Sequence, residues 1–198
     1  ATAAGVHITP TPATGLVPLA EVEFSGVALT PADILSGGSA TVADLADRAR
    51  LAVAGEQAGV VRRALELAAE YAREREQFGR AIGSFQAVAQ RLADGYIDAQ
   101  GLSLTTTQAA WLLGEHGTAP DSVTRDEVAV AIATAKFWAA EAGHRVAHTT
   151  VHVHGGVGLD TSHPVHRYFL RAKQNEFTLG AVPVTLDDIG DVLATSPV

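Results

Sequence analysis

Arg73-Glu74-Arg75-Glu76-Gln77-Phe78-Gly79-Arg80-Ala81-Ile82-Gly83-Ser84-Phe85-Gln86 is the stretch on which the reading of this chain turns. It closes one long helical pattern, turns on two glycines and opens another. Gly79 stands where a helix C-terminus takes a left-handed residue. Ser84 stands where the next helix takes an N-cap. Between them lie arginines and a phenylalanine. A guanidinium grips a phosphate through paired N–H donors, and a phenyl ring offers a flat apolar face. A helix hairpin with a charged corner explains the same residues equally well.

The pattern that this stretch closes runs from Thr41 to Glu74, rich in Ala and Leu and free of Pro. Val60, Ala64, Leu67 and Tyr71 share one face, with Val61, Leu65 and Ala68 beside them. Ala54, Gly55, Ala58 and Gly59 are small enough to admit a second helix. The pattern that it opens runs from about Ser84 to about Glu115, with Phe85, Val88, Leu92, Tyr96 and Ile97 as its apolar stripe. Gly117 to Pro120 breaks it. Thr124 followed by Glu127 has capping-box spacing and opens a third helix through Val128, Ile132, Ala135, Trp138 and Ala139 toward His152. Gly155-Gly156-Val157-Gly158 ends that helix. A short fourth helix follows, about Val165 to Phe177, with Pro164 near its first turn. Three long helices and a shorter one joined by short turns predict a mainly α fold, an up-down four-helix bundle. Beyond Gly180 and Pro183 the pattern weakens. Thr185 to Leu193 reads as a last short helix and Ala194 to Val198 as a loose tail.

Residues 1–38 read differently. Val6-His7-Ile8-Thr9 and Glu21-Val22-Glu23-Phe24 alternate or nearly so, and Pro10, Pro12, Gly15, Pro18, Gly26 and Pro31 punctuate them. Two short strands cannot bury a face by themselves. They lie against the helices or belong to a sheet whose other strands are absent. The chain thus divides into a short β segment with its connector, 1–38, and a helical domain, 39–198.

Composition narrows the function. Hydrophobic residues make up 47% of the 198 and charged residues 18%, so the chain is globular. A net charge of −8 with no Lys/Arg run argues against nucleic acid. No uncharged apolar run reaches the roughly 18 residues a membrane span needs, and Ala1 to Pro12 has no signal-peptide pattern. The expectation is a cytoplasmic protein away from the membrane. The chain has no Met, not even at its start, which points to a fragment. It has no Cys, which excludes disulfides, thiol catalysis and Cys-ligated metal.

Three constellations could carry chemistry. His144, His148 and His152 are spaced i, i+4, i+8, and Glu141 precedes His144 with Glu-x-x-His spacing. A di-iron bundle needs a second such pair and two more carboxylates, and no second copy exists, so no metal is expected. Gly155-Gly156-Val157-Gly158 follows a helix rather than a strand, so it is no dinucleotide fingerprint. It is a helix stop, or bare backbone that something flat or anionic can approach. Arg75 and Phe78 form the stronger pair, with Gln86 at the same corner. A cation at a helix C-terminus also suits the dipole without any ligand.

Together these stretches resemble the acyl-CoA dehydrogenase family. Tyr71 to Gln86 resembles its helix-turn signature almost residue for residue. Val153-His154-Gly155-Gly156-Val157-Gly158 with His163-Pro164-Val165-His166-Arg167-Tyr168-Phe169 resembles its second signature. Leu19 to Val27 resembles the last strands of its middle β-domain. The resemblance implies that this chain is the end of a β-domain plus a C-terminal four-helix bundle, with the N-terminal half absent. It implies FAD bound across a subunit interface, tetramers or dimers built through the bundle, and oxidation of an acyl-CoA thioester. An electron-transfer flavoprotein would take the electrons. By position, Arg75 and Phe78 match residues that reach the pyrophosphate and adenine end of a neighbour's FAD, and Gln86 a further contact. Gly155, Gly156 and Gly158 match the turn beside the adenosine, His152 replaces the signature's Gln, and Arg50 matches a substrate-side arginine.

The departures are at the base. Aligning Arg171-Ala172-Lys173 puts Leu179 where the family carries its catalytic Glu. Counting back from the helix-turn signature puts Ala49 at the alternative base position. Neither can accept a proton. The Thr and Gln that follow the base become Ala181 and Pro183. The chain thus resembles the base-lacking subunit of actinobacterial α2β2 heterotetramers that act on steroid side-chain CoA thioesters. That subunit completes its partner's FAD site, and this chain by itself is expected to hold no FAD. Two alternatives remain open here: a displaced base at Glu176 or Asp47, and a cofactor-free structural bundle.

Overall fold

The structure, a computed structural model, describes residues 3–195. Three long helices and two shorter ones dominate it: α1 (Gly38–Glu74), α2 (Gln86–Thr118), α3 (Arg125–His154), α4 (Val165–Phe177) and α5 (Val182–Thr195). α1 runs 37 residues without a proline. Its buried Ala54, Gln57, Val61, Ala64, Ala68 and Ala72 recur at steps of three or four, one seam of a 3.6-residue period. The expected seam through Val60, Leu67 and Tyr71 is therefore rotated, with Val61 and Ala68 at its centre. Ala54 is buried as expected, but a methyl at Gly55 or Gly59 would meet nothing within 4 Å.

α3 is the central helix, packed against each of the other four. It starts at the expected capping box: Thr124 Oγ1 accepts from the Glu127 N–H at 3.2 Å, and Glu127 Oε2 accepts from the Thr124 N–H at 2.7 Å. Val128, Ile132, Ala135 and Ala139 are buried along it as expected. On α2 the expectation fails beyond Leu92. Tyr96 and Ile97 are 60% and 64% exposed, and the inner face passes through Gly95, Asp98, Leu102 and Ala109 instead. A glycine and an aspartate mask this face from hydrophobicity patterning. Asp98 is buried because Arg145 on α3 holds both its oxygens, Nε at 2.8 Å and Nη2 at 2.7 Å.

The corner after α1 differs in kind from the expected hairpin of helices. Arg75 caps α1, its N–H donating to the Tyr71 carbonyl at 2.8 Å. A miniature hairpin follows: β1 (Glu76–Gln77) pairs with β2 (Arg80–Ala81) around Phe78 and Gly79. Both turn residues are left-handed, at φ 55° and 76°, as a two-residue turn of this hand requires. Gly79 is left-handed as expected but serves a strand turn, not a helix stop. Ser84 is not an N-cap: its hydroxyl donates to the Ala81 carbonyl at 2.7 Å, Phe85 takes the cap position and α2 begins at Gln86.

The N-terminal strands, Val6–Thr11 and Leu19–Phe24, pair antiparallel with Val6 opposite Phe24. Phe24 is 71% exposed, so this hairpin buries neither face. α4 spans the expected Val165–Phe177. α5 starts earlier than expected because Pro183 sits in its first turn, where a missing N–H costs nothing. It continues through Thr195, so Ala194 and Thr195 are helical, and the remainder of the expected tail, 196–198, lies outside the described residues. No helix among the described residues is long and apolar enough to cross a membrane.

Candidate functional site

The ends of α1 and α3 meet at an open cleft of about 610 Å³, lined by Tyr71, Arg75, His152, His154, Gly155 and Gly156, with Asp160 at its edge. A smaller hollow of about 250 Å³ adjoins it, with Phe78, Arg91 and again His152 in its walls. Four residues singled out from sequence thus share one cleft, Arg75, His152, Gly155 and Gly156, and Phe78 flanks the next. Gln86 is exposed at the first turn of α2 and lines neither. Gly158 lies inside the chain: a methyl there would stand 2.9 Å from the Val151 backbone, so close packing alone explains this glycine.

Three features of the cleft and the adjoining hollow are open to a ligand. The Arg75 side chain has no carboxylate or carbonyl partner among the described residues, so all its donors are unspent. Gly155 and Gly156 leave open space above the backbone, since a methyl on either meets nothing within 4 Å. Phe78 is 91% exposed at a left-handed φ, an apolar ring held out in solvent by a strained residue. Its ring stands edge-on to Phe85, with centroids 6.1 Å apart.

Sequence reasoning missed His154, although it adjoins the glycine turn. It is buried, stacked on Tyr71 with centroids 4.4 Å apart, and its other neighbour is His163 at 5.3 Å. Burial lowers its pKa first of all; the Thr150 bond opposes this and His163 adds to it.

The two base positions lie at another part of the molecule. Leu179 holds a left-handed φ of 59° in the turn between α4 and α5, and Ala49 is half-buried on α1. Arg50, expected on the substrate side, is spent internally. Its Nε donates to the Leu179 carbonyl at 3.1 Å, and its Nη2 stands 2.8 Å from Asp188 Oδ2 in an ion pair without hydrogen-bond geometry. Both candidate displaced bases are also engaged. Asp47 holds Arg125 at 2.5 Å, and Glu176 accepts from Lys173 at 2.6 Å and faces His144 at 3.2 Å. Glu141 is held by Arg145 at 2.5 Å. Among the described residues, no three metal-ligand side chains cluster.

Lys136, also missed, clamps the turn after α4. It is fully buried and donates to the Gly180 carbonyl at 2.5 Å and the Glu176 carbonyl at 3.2 Å. Burial chiefly, with help from Arg50, pulls its pKa down from 10.5 to about 8. The folded state therefore releases this proton before the unfolded chain does, and stability rises with pH between the two values. The full-length protein should outlast its Lys136→Met variant by a margin that widens by about 1 kcal/mol from pH 8 to pH 9.5. Urea melts at the two pH values measure this, and a margin that shrinks contradicts it.

The sequence profile of "Acyl-CoA dehydrogenase, C-terminal domain" matches residues 36–194. This chain belongs to the acyl-CoA dehydrogenase family. Acyl-CoA dehydrogenase FadE27 of Mycobacterium tuberculosis is 53% identical over 193 residues, covering 98% of this chain and 51% of that protein. The crystal structure of the ChsE4-ChsE5 complex from Mycobacterium tuberculosis contains a chain that superimposes with a TM-score of 0.89 at 52% identity, over 99% of this chain and 51% of the other. A chain of the Tcur3481-Tcur3483 steroid ACAD G363A variant gives a TM-score of 0.81 at 37% identity, covering 98% and 50%. The chain spans about half the length of these acyl-CoA dehydrogenase relatives. Its helices are the fold of the family's C-terminal domain, preceded by a short β hairpin.

Proposed function

We propose that this chain is the C-terminal part of an acyl-CoA dehydrogenase subunit that lacks the catalytic base and completes the FAD site of a homologous partner. Residues 1–38 would be the end of the middle β-domain and 39–198 the helical domain. The observation that carries this reading is the contrast between the two sites. The base positions hold Leu179 and Ala49, and the carboxylates of Asp47, Glu176 and Asp188 are each in an ion pair. The cleft at the end of α1 keeps an unspent guanidinium beside bare glycine backbone.

These residues fit FAD. Arg75 would hold the diphosphate bidentately, Gly155 and Gly156 would let the adenosine side come close, and Phe78 would cover a ring of it from solvent. His152 would stand between cleft and hollow. Gln86, at the first turn of α2, would add an amide from outside the cleft. Gly158 would shape the turn from within. When bound, FAD would supply hydride-accepting chemistry for the β-carbon of an acyl-CoA, and the base that takes the α-proton would come from the partner. This chain's own residues then bind and orient the flavin. The chains that superimpose on this one belong to the ChsE4-ChsE5 complex and to the Tcur3481-Tcur3483 steroid ACAD. They favour a heteromeric assembly and a steroid CoA thioester; the family resemblance adds a steroid side chain as the acyl group, an electron-transfer flavoprotein as acceptor and a cytoplasmic setting.

The test is the flavin band and dehydrogenase turnover of the full-length protein, alone and co-expressed with its partner. Alone, it should show no turnover; with the partner, it should be yellow and active. Turnover by a homo-oligomer would restore the displaced-base reading. Turnover by the complex with no flavin contact from this subunit would leave the structural bundle.

A further inference from the structure

His154 has one of its two ring nitrogens committed. Its Nδ1 lies 2.8 Å from the Thr150 carbonyl, which can only accept, so the proton of that bond is on Nδ1. In the neutral ring Nε2 is then a lone-pair acceptor. No donor among the described residues meets it, and the side chain is only 4% exposed. Tyr71 on one side and His163 on the other keep the ring from turning. His154 lines the cleft wall, and its Nε2 is not among the polar atoms sealed from solvent without a partner, so it is an acceptor open to whatever occupies the cleft.

The cleft's other groups say what that donor is. Arg75 is a free cation in the same wall, so one part of the ligand is anionic. Asp160 also lines the cleft; its Oδ1 is held by the backbone N–H and the hydroxyl of Ser162, both at 2.8 Å, which leaves Oδ2 as a second acceptor. A cation together with two acceptors suits phosphate groups joined to a hydroxyl-bearing sugar. We propose that His154 is a positioning residue whose Nε2 accepts a hydrogen bond from a sugar hydroxyl of a nucleotide diphosphate held by Arg75. FAD carries this chemistry, and so does the adenosine diphosphate portion of CoA. Where the nucleotide is FAD, the inference rests on the function proposed above.

The test uses the full-length protein with its partner, titrated with FAD and separately with CoA. His154→Phe keeps the stacked ring and loses the acceptor, and His154→Gln returns an acceptor near the Nε2 position. The Phe variant should bind the cleft's nucleotide roughly five-fold more weakly, with most of the loss recovered in the Gln variant. FAD or CoA analogues lacking single sugar hydroxyls supply the second arm. One deletion should weaken the wild type by a similar factor and leave the Phe variant no weaker than before. Sensitivity confined to CoA assigns the cleft to CoA and overturns the flavin reading while His154 keeps its role. FAD binding that depends on Arg75, with every hydroxyl deletion costing wild type and Phe variant alike, overturns the role of His154 and keeps the flavin reading.

Discussion

Arg75→Ala in the full-length protein, co-purified with its partner, is expected to weaken FAD binding about ten- to hundred-fold. A charge-assisted contact contributes about 1.5–3 kcal/mol when it is the ligand's own partner. Arg75 divides its work between backbone and side chain. Its backbone does the structural work: the N–H closes α1 on Tyr71, and the carbonyl accepts from Ile82 at 2.8 Å. Its side chain holds no partner among the described residues, so truncation should leave the melting temperature in place. Arg73→Ala removes the same charge two residues away, outside the cleft lining. Its effect should be under about two-fold, because an exposed charge at that distance is largely screened. Flavin absorbance per subunit and a fluorescence titration measure both variants. Unchanged occupancy in Arg75→Ala would remove this subunit from the flavin site.

Gln57→Ala should cost about 3–5 kcal/mol of stability, a loss typical of a buried polar group and a cavity together. Gln57 is fully buried on α1 and ties three helices through one amide. Its Nε2 donates to the Ala139 carbonyl on α3 at 3.0 Å and to the Ala172 carbonyl on α4 at 3.2 Å, and its Oε1 accepts from Asn175 at 3.1 Å. Truncation strands the Asn175 amide and opens a hole. Gly143 on α3 makes room for this amide: a methyl there would stand 1.7 Å from Gln57 Nε2. Gly143→Ala should therefore be destabilising on a similar scale, although alanine is the better helix former by about 1 kcal/mol. Denaturant midpoints read both, and a Gln57→Ala protein within about 1 kcal/mol of wild type would show that the helices are held elsewhere.

Several features of the fold were legible before the structure because they are local. The capping box at Thr124 and Glu127, the Gly155 stop and the Val165–Phe177 helix each depend on residues within a turn or two of one another. The helix-turn signature marked Arg75 and Phe78 through residue identity. What misled was a feature with two local solutions. A positive-φ glycine suits a helix end and a strand turn alike, and only the pairing of Glu76 with Ala81 decides for the turn at Gly79. On α2, an apolar period pointed to Tyr96 and Ile97, because the pattern cannot know that Arg145 on another helix makes a buried Asp98 acceptable.

Residue type and spacing alone establish that this protein is a helical bundle, that a guanidinium and a phenyl ring stand at one helix corner, and that no carboxylate occupies Leu179 or Ala49. Only the tertiary structure decided how those groups are spent. Arg50 is consumed by the Leu179 carbonyl and Asp188, 138 positions along the chain (188 − 50). Arg75 has no side-chain partner among the described residues and stands beside His152, Gly155 and Gly156. The physical reason is that a charged side chain takes the partner that comes nearest in space, and between distant segments that partner is set by helix packing.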